Sequence, residues 1–303
     1  TRRRAWLGLS LAVNLGILVT YKYFDFFAGS LNALLDWLGL GSSLPILNLV
    51  LPVGISFYTF QTLSYSIDIY RRKLTPARSP LDLALFVAFF PQLVAGPIVL
   101  AKEFLPQLAE RPRWASVDAR AAIVLFFVGF VKKSCFSDAL SPYVDAVHLA
   151  PDAVGAAGAW LSAVAFAAQI YCDFSGYTDM AIGVALLMGY RLPQNFNSPY
   201  KADSCGNFWK RWHMSLSGWL KDYLYIPMGG NRKASWFTAI SASFLLTFVV
   251  LLYPDPTFIG TLFAALVGGA IAMSRIPRFR RWVITNVNIW MTMLLGGLWH
   301  GAS

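Results

Sequence analysis

The sequence is poor in charged residues and in cysteine, and each shortage excludes a class of protein. Only 13% of its 303 residues are Asp, Glu, Lys or Arg, about half the share that is usual in soluble globular domains. The three cysteines, Cys135, Cys172 and Cys205, have no CxxC or Cys/His spacing. The sequence therefore predicts neither a disulfide framework nor a zinc site, and no residue set suggests a catalytic metal or a bound cofactor.

Long apolar segments take the place of the missing charge. Hydrophobic residues make up 57% of the chain and the mean hydropathy is +0.54. A membrane-spanning helix needs about 20 mostly apolar residues, and most of the charge-free segments reach that length alone or with their flanks. The sequence therefore predicts an all-α, polytopic helical membrane protein. The charge-free segments are Ala5–Tyr21, Trp37–Ile67, Leu83–Ala101, Ala153–Cys172, Ala234–Pro254, Pro256–Ser274 and Trp282–Trp299.

The net charge of +10 is explained by cytoplasmic loops and anionic lipid headgroups, so we expect no nucleic-acid partner. Basic stretches predict the cytoplasmic side, and acidic or neutral stretches predict the outer side. The stretches predicted inside are Arg2–Arg4, Arg71–Lys73, Arg191–Lys233 and Arg275–Arg281. Those predicted to be outer loops are Lys22–Asp36, Ser137–Asp152 and Pro254–Pro256.

One apolar segment, Leu83–Ala101, is interrupted by Pro91, Gly96 and Pro97. Two prolines and a glycine break a helix, and both flanks of the segment are basic. We therefore predict a re-entrant hairpin with both ends inside. Irregular backbone at that depth is tolerated where it is buried in protein or lines a cavity.

The segment Arg191–Lys233 is unusually basic and aromatic. Apolar residues at helical spacing predict an interfacial amphipathic helix there: Trp209, Trp212, Leu216, Trp219 and Leu220. Lys210 and Arg211 are suited to bind phosphates, either of lipid headgroups or of a nucleotide-containing donor. Anchoring to lipid alone is the alternative.

Two histidines and two aspartates stand out in this apolar context. His300 follows the charge-free run Trp282–Trp299, and His213 lies on the predicted amphipathic helix. An ionisable residue at membrane depth is a functional hypothesis by default, whereas a histidine just past a helix end can also rest among headgroups. Asp173 and Asp179 need partners or water, so a structural role and a catalytic role are both open.

Several motifs in order along the chain resemble the membrane-bound O-acyltransferases, specifically the acetyl branch that modifies alginate and peptidoglycan. The similarity runs from about residue 44 to the last residue. The sequence of Tyr225–Asn231 favours this branch over the D-alanyl branch that modifies teichoic acids. The motifs are Leu51–Phe57 with Tyr65–Asp68, Phe89–Pro97, Asp173–Asp179, Asn195–Phe196, Phe208–His213, Trp219–Lys233 and Gly297–Gly301.

This resemblance implies a multi-helix core around a tunnel, with His300 in the family's catalytic position and His213 as a second, assisting histidine. It further implies a bacterial inner-membrane protein that uses acetyl-CoA or another acyl thioester as donor substrate. The acceptor would be an extracytoplasmic polysaccharide, reached through a periplasmic acetyltransferase partner. Imidazole suits proton removal from a hydroxyl, and we expect a group of polar and aromatic residues to position the donor: Asn195, Trp209, Lys210, Arg211 and Trp212.

The chain also departs from the family pattern. We expect residues 1–303 to be a single membrane domain truncated at both ends, with an inserted transmembrane hairpin over residues 235–281. A sister enzyme that moves another acyl group, or that acetylates peptidoglycan, is an alternative function. A secondary transporter, which broken helices also suit, and a non-catalytic scaffold are alternatives of other classes.

Overall fold

The structure is a computed structural model that describes residues 2–41, 44–93, 96–110, 112–233 and 256–300, with six single positions between 234 and 255. The described residues form helices, turns and irregular loops, and among them there is no β-strand. The prediction of an all-α protein is confirmed. Two compact units divide the chain, Thr1–Ser217 and Gly218–Ser303, and each is described by itself.

The first unit is built from helices of very different length, because prolines, glycines and one histidine interrupt its apolar segments. Three of these helices are followed directly by a π-helical turn, without an intervening loop. The helices are α1 (Arg2–Leu18), α2 (Phe24–Trp37), α3 (Ile55–Tyr70), α4 (Pro80–Ala88), α5 (Phe90–Leu93), α6 (Ala101–Ala109), α7 (Ala119–Val131), α8 (Asp138–Leu149), α9 (Ala156–Leu187) and α10 (Cys205–Trp209), and α11 (Met214–Trp219) crosses into the second unit.

The prediction of an outer loop at Lys22–Asp36 is wrong, because this segment is helical. A π-helical turn, Val19–Tyr23, joins α1 to α2, and the resulting helix Arg2–Trp37 of 36 residues is long and apolar enough to cross a membrane. The segment is helical because its large apolar residues recur at helical spacing. Asp25 is used locally, since its carboxylate accepts hydrogen bonds from the backbone N–H groups of Leu47 and Asn48, 2.8 and 2.9 Å away.

Two other segments also differ from the prediction in where helix and loop lie. In the charge-free run Trp37–Ile67, the described residues between the end of α2 at Trp37 and Ile55 are not helical, because Pro45, Pro52 and a left-handed Gly54 stand there. The loop predicted at Ser137–Asp152 is largely the helix α8. Leu140, Val144 and Val147 recur at helical spacing, and Val144 is only 2% exposed.

The break predicted around Pro91–Pro97 is present. Helices α4 and α6, of nine residues each, lie on either side of it, and each is about 14 Å long, too short to cross a bilayer core of about 30 Å. They pack around a buried aromatic core in which the rings of Phe89 and Phe104 are 4.8 Å apart and those of Phe89 and Tyr190 are 5.3 Å apart. This core holds the chain that leaves α9.

Helices α7 and α9 approach each other at glycines. A Cβ atom on Gly129 would lie 2.5 Å from the Gly176 carbonyl oxygen, and one on Gly183 would lie 2.8 Å from the Ala122 carbonyl oxygen. Small residues that let helix backbones approach closely are characteristic of helix packing in membranes. The backbones of α7 and α9 are therefore in close contact at these glycines.

The described residues of the second unit include a π-helical turn, Leu220–Tyr225, and the helices α12 (Ile226–Met228), α13 (Pro256–Arg275) and α14 (Pro277–His300). Residues Thr257–Arg275 are the second described helix segment that is long and apolar enough to span a membrane. Most of the first arm of the hairpin predicted over residues 235–281 lies outside the described residues. Its second arm corresponds to α13.

Candidate functional site

Asn195 is the most completely buried polar side chain of the loop that follows α9. The helix ends at Leu187, and Gly189, with φ +84°, turns the chain where a Cβ atom would meet Pro112 at 2.4 Å. Leu192 then inserts into the aromatic core and is 8% exposed. The loop is fixed on both sides of this anchor, and Asn195 is carried inward to 0% exposure.

The side-chain oxygen of Asn195 accepts three hydrogen bonds. Its donors are the backbone N–H of Ser215 at 3.1 Å, the Ser215 hydroxyl at 2.9 Å and Nδ1 of His213 at 3.1 Å. A backbone N–H can only donate, so the Asn195 atom at this point must be the oxygen rather than the nitrogen. His213 must then donate from Nδ1–H, which leaves the lone pair of the neutral ring on Nε2. Nε2 is the atom of this imidazole that can take a proton.

His213 lies at a break in the predicted amphipathic helix. The continuous helix expected over Trp209–Leu220 is wrong: α10 ends at Trp209, α11 begins at Met214, and His213 between them has φ +43°. Asn195 causes the break, because its backbone oxygen accepts from Met214 N–H at 2.8 Å and its side chain accepts from Ser215 N–H. A left-handed non-glycine residue costs about 1 kcal/mol or more and is found mainly where function or surrounding structure requires it.

Aromatic rings surround the His213 imidazole, which is 2% exposed. The Phe174 ring of α9 packs edge-on against it at 4.7 Å, and the Phe196 ring lies 6.5 Å away. Trp212 continues this cluster, with its ring 5.1 Å from Phe196 and 5.6 Å from Phe208. These contacts fix the orientation of the imidazole and keep water from its faces.

The five residues expected to position the donor do not form one group. Asn195 and Trp212 belong to the packed interior just described. Trp209 is 40% exposed and Lys210 is exposed. Arg211 donates to Asn207 Oδ1 at 3.1 Å and to the Asn197 carbonyl at 3.3 Å, so it stabilises the loop through protein contacts.

Sequence reasoning missed Ser215. Its hydroxyl accepts from the Ile98 N–H at 2.9 Å and donates to Asn195 Oδ1, so it joins the irregular chain after Pro97 to the His213 turn. Gln92, on the short helix α5 before this irregular chain, is 0% exposed, and its Nε2 donates to the Phe86 carbonyl. The position of Ser215, two residues after His213, was the available signal for this role. It lies in the first turn of α11, where the N–H groups need partners outside the helix.

The second unit positions the helix that ends at His300. Asn288 of α14 is 0% exposed and donates from Nδ2 to the Gly230 carbonyl at 2.8 Å. That carbonyl belongs to a turn that requires glycine, because a Cβ atom on Gly229, with φ +119°, would lie 1.8 Å from the Lys233 oxygen. Along the same helix, Trp299 is 7% exposed. Helix α14 ends at His300, whose side chain lies outside the described residues.

The two aspartates with open roles are partners of lysines. Asp179 Oδ2 is 2.6 Å from Lys132 Nζ, and Asp173 Oδ1 is 2.7 Å from Lys133 Nζ. Lys133 also contacts Asp138 at 2.6 Å. The lysines belong to the π-helical turn Lys132–Ser137 that follows α7, and the aspartates belong to α9. These contacts favour the structural interpretation of both aspartates.

The helical architecture and the apolar spans define an all-α membrane protein. A family model for MBOAT, the membrane-bound O-acyltransferase family, matches residues 76–252, which include Asn195 and His213. The chain belongs to this family, and the predicted resemblance is confirmed.

Similar proteins agree with this assignment. The chain is 39% identical over 298 residues to the probable alginate O-acetylase of Azotobacter vinelandii, covering 98% of this chain and 50% of that protein. It is 40% identical over 256 residues to the peptidoglycan O-acetyltransferase of Helicobacter pylori, covering 76% and 48%. It is 32% identical over 196 residues to the teichoic acid D-alanyltransferase of Bacillus subtilis, covering 63% and 48%. The chain spans about half the length of the curated relatives it matches.

Proposed function

We propose that the protein to which this chain belongs is an O-acetyltransferase. It moves an acetyl group from a cytoplasmic thioester, such as acetyl-CoA, to hydroxyl groups of an extracytoplasmic, alginate-like polysaccharide. Identities of 38–39% to probable alginate O-acetylases over 98% of the chain support the acetyl group and the polysaccharide. A periplasmic acetyltransferase would relay the group to the polymer.

The observation that carries the proposal is the buried hydrogen bond between Asn195 and His213. It holds an imidazole with its lone pair on Nε2 in an aromatic, water-poor surrounding, which is the state that a proton acceptor needs. His300, in the position of the family's catalytic histidine, is the general base, and His213 assists it. The base takes the hydroxyl proton as the oxygen attacks the thioester carbonyl. The C–O bond forms, the C–S bond breaks, and the thiolate leaves and is protonated.

Exposed Trp209 and Lys210 are the donor-facing part of the predicted donor-binding group. Lys210 meets the phosphates of a nucleotide-containing thioester, because a compact ammonium binds phosphate as a point charge. Asn195 and Trp212 act indirectly, because they hold His213 and the turn that contains it in place. Arg211 holds that turn in place.

Acetylation of peptidoglycan is the second candidate function. The identity of 40% to the Helicobacter pylori enzyme is slightly higher than the 38–39% to the alginate proteins, although it covers 76% of the chain rather than 98%. The two functions share donor, bases and topology, and they differ in the acceptor glycan. Acetyl transfer in membranes supplied with either alginate or peptidoglycan distinguishes them.

The protein is a multi-pass protein of the bacterial inner membrane in this proposal, and the basic stretches Arg191–Lys233 and Arg275–Arg281 face the cytoplasm. Single cysteines at Ser141 and Ser274, in a background without native cysteines, test this topology with an impermeant thiol reagent on intact cells. We expect labelling at Ser141 and protection at Ser274. The reverse pattern would contradict the cytoplasmic approach of the donor.

His300→Ala tests the catalytic assignment in the full-length protein. We expect acetyl transfer to fall to background, a loss of at least about 1,000-fold, because the change removes the base and leaves a long apolar helix intact. The measurement is polymer acetylation in membranes that contain matched amounts of protein. His148→Ala is the control, since His148 contacts the Val144 carbonyl at 2.8 Å and has no proposed role. Wild-type activity in His300→Ala would refute the assignment.

A further inference from the structure

A groove separates α1 from α3 at the arginine-rich end of α1. It has a volume of about 240 Å³, and its walls include Trp6, Leu7, Tyr65 and Tyr70, with Arg3 at one end. At its floor the hydroxyls of Ser10 and Ser66 bond to each other at 2.7 Å. The groove is therefore apolar along most of its length and cationic at one end.

Arg3 is held in place without using all of its donors. Its Nη2 atom donates to the carbonyls of Ile69 and Tyr70, at 3.3 and 3.0 Å, and its guanidinium lies 5.8 Å from the centre of the Tyr70 ring. A guanidinium carries five N–H donors. Among the described residues, Nε and Nη1 of Arg3 have no hydrogen-bond partner. An ordered cation with remaining donors is suited to bind an anionic oxygen.

The charge around this end of the groove is almost entirely positive. Arg2, Arg4, Arg72 and Lys73 are exposed, and none of them forms an ion pair with another described residue. Asp68, the acid nearest in sequence to Arg72 and Lys73, is only 4% exposed. An anion at the mouth of the groove thus meets several cations and little opposing charge.

We propose that this groove binds one anionic phospholipid, with the headgroup phosphate on Arg3 and an acyl chain along the apolar walls. From Arg3 to Ser10 the helix rises about 10 Å, which is apolar length that a soluble phosphate would not use. The net positive charge selects an anionic lipid over a zwitterionic one. The site is independent of the acyl-transfer proposal, because it involves none of the residues in that mechanism.

The test uses the full-length protein, delipidated in an uncharged detergent and titrated with phosphatidylglycerol in native mass spectrometry. We expect Arg3→Gln to weaken phosphatidylglycerol binding about tenfold, the loss of one charge-assisted hydrogen bond. Arg4→Gln is the matched control, because it removes the same charge from an exposed neighbour outside the groove. Equal losses in both variants would overturn the proposal in favour of unspecific surface attraction.

A second variant covers the case in which Arg3→Gln disturbs folding, since Arg3 also caps α3. Trp6→Ala removes one groove wall without changing charge, and Trp37→Ala is its control, with Trp6 and Trp37 being 69% and 79% exposed. We expect weaker phosphatidylglycerol binding only in Trp6→Ala, at an unchanged melting temperature. Unaltered binding in Trp6→Ala would overturn the proposal.

Two further titrations identify the ligand. Phosphatidylcholine should bind at least tenfold more weakly than phosphatidylglycerol, and glycerol phosphate should not displace the bound lipid. Equal binding of phosphatidylcholine would overturn the selection for an anionic lipid. Displacement by glycerol phosphate would overturn the lipid assignment and identify a site for soluble phosphates.

Discussion

Two groups of buried or half-buried polar residues lie in the first unit, and they use their hydrogen-bonding capacity differently. Between α7 and α9, opposite charges meet directly, with Lys132 and Asp179 2.6 Å apart. Around His213 the hydrogen-bonded residues Asn195 and Ser215 are uncharged, and Asn195 Nδ2 has no hydrogen-bond partner among the described residues. Unsatisfied buried polar atoms are rare in proteins and call for an explanation. We interpret the first group as a structural frame and the second as the candidate site.

The frame explains why charged residues are present at all in apolar helices. Two lysines on one helix and two aspartates on its neighbour cancel each other's charge at contact distance, next to the close approach of Gly129 and Gly176. An unpaired charge there would be costly, whereas a pair with good geometry offsets much of that cost. The pairs therefore favour one register of α7 on α9, which is a structural role.

Among the variants that distinguish the lysine–aspartate pairs from the group around His213, His213→Ala should lose the most activity. We expect acetyl transfer to fall by about 100-fold, the lower end of what a positioned acid–base group contributes, and by less than in His300→Ala. The measurement is acetylation per folded protein, with melting temperature recorded alongside. A defect as severe as that of His300→Ala would mean that the two histidines act as one unit.

A charge reversal across α7 and α9 should give a smaller effect, on stability alone. Lys132→Asp should lower the stability of the protein by about 2 kcal/mol, since it leaves Asp179 half-buried beside a like charge. The double variant Lys132→Asp with Asp179→Lys should recover part of that loss in thermal unfolding in detergent. A double variant less stable than both single variants would show that the ion pair is not what holds these helices.

The sequence predicts the helical membrane fold well, because apolar runs and proline breaks act locally. Helix α9 and the break at Pro91–Pro97 follow directly from such patterns. The interruption at His213 could not be predicted in this way, since the Trp and Leu residues over 209–220 do have helical spacing. A residue 18 positions earlier in the chain, Asn195, takes the first N–H groups of α11.

The candidate site shows the same limit. Both histidines and Asn195 were identified from the sequence, through motifs that resemble a family. Ser215 and the partnership of Lys132 with Asp179 were missed, because they depend on which helices are neighbours.

The most direct test of this account compares Asn195→Ala with Lys132→Met in the full-length protein, measuring acetyl transfer per folded molecule and melting temperature for each. We predict that Asn195→Ala loses about tenfold in activity, equivalent to one hydrogen bond of about 1.4 kcal/mol. Lys132→Met should keep its activity per folded molecule and lose melting temperature instead. Full activity in Asn195→Ala, or an equal loss of activity in Lys132→Met, would contradict the division of the first unit into a frame and a site.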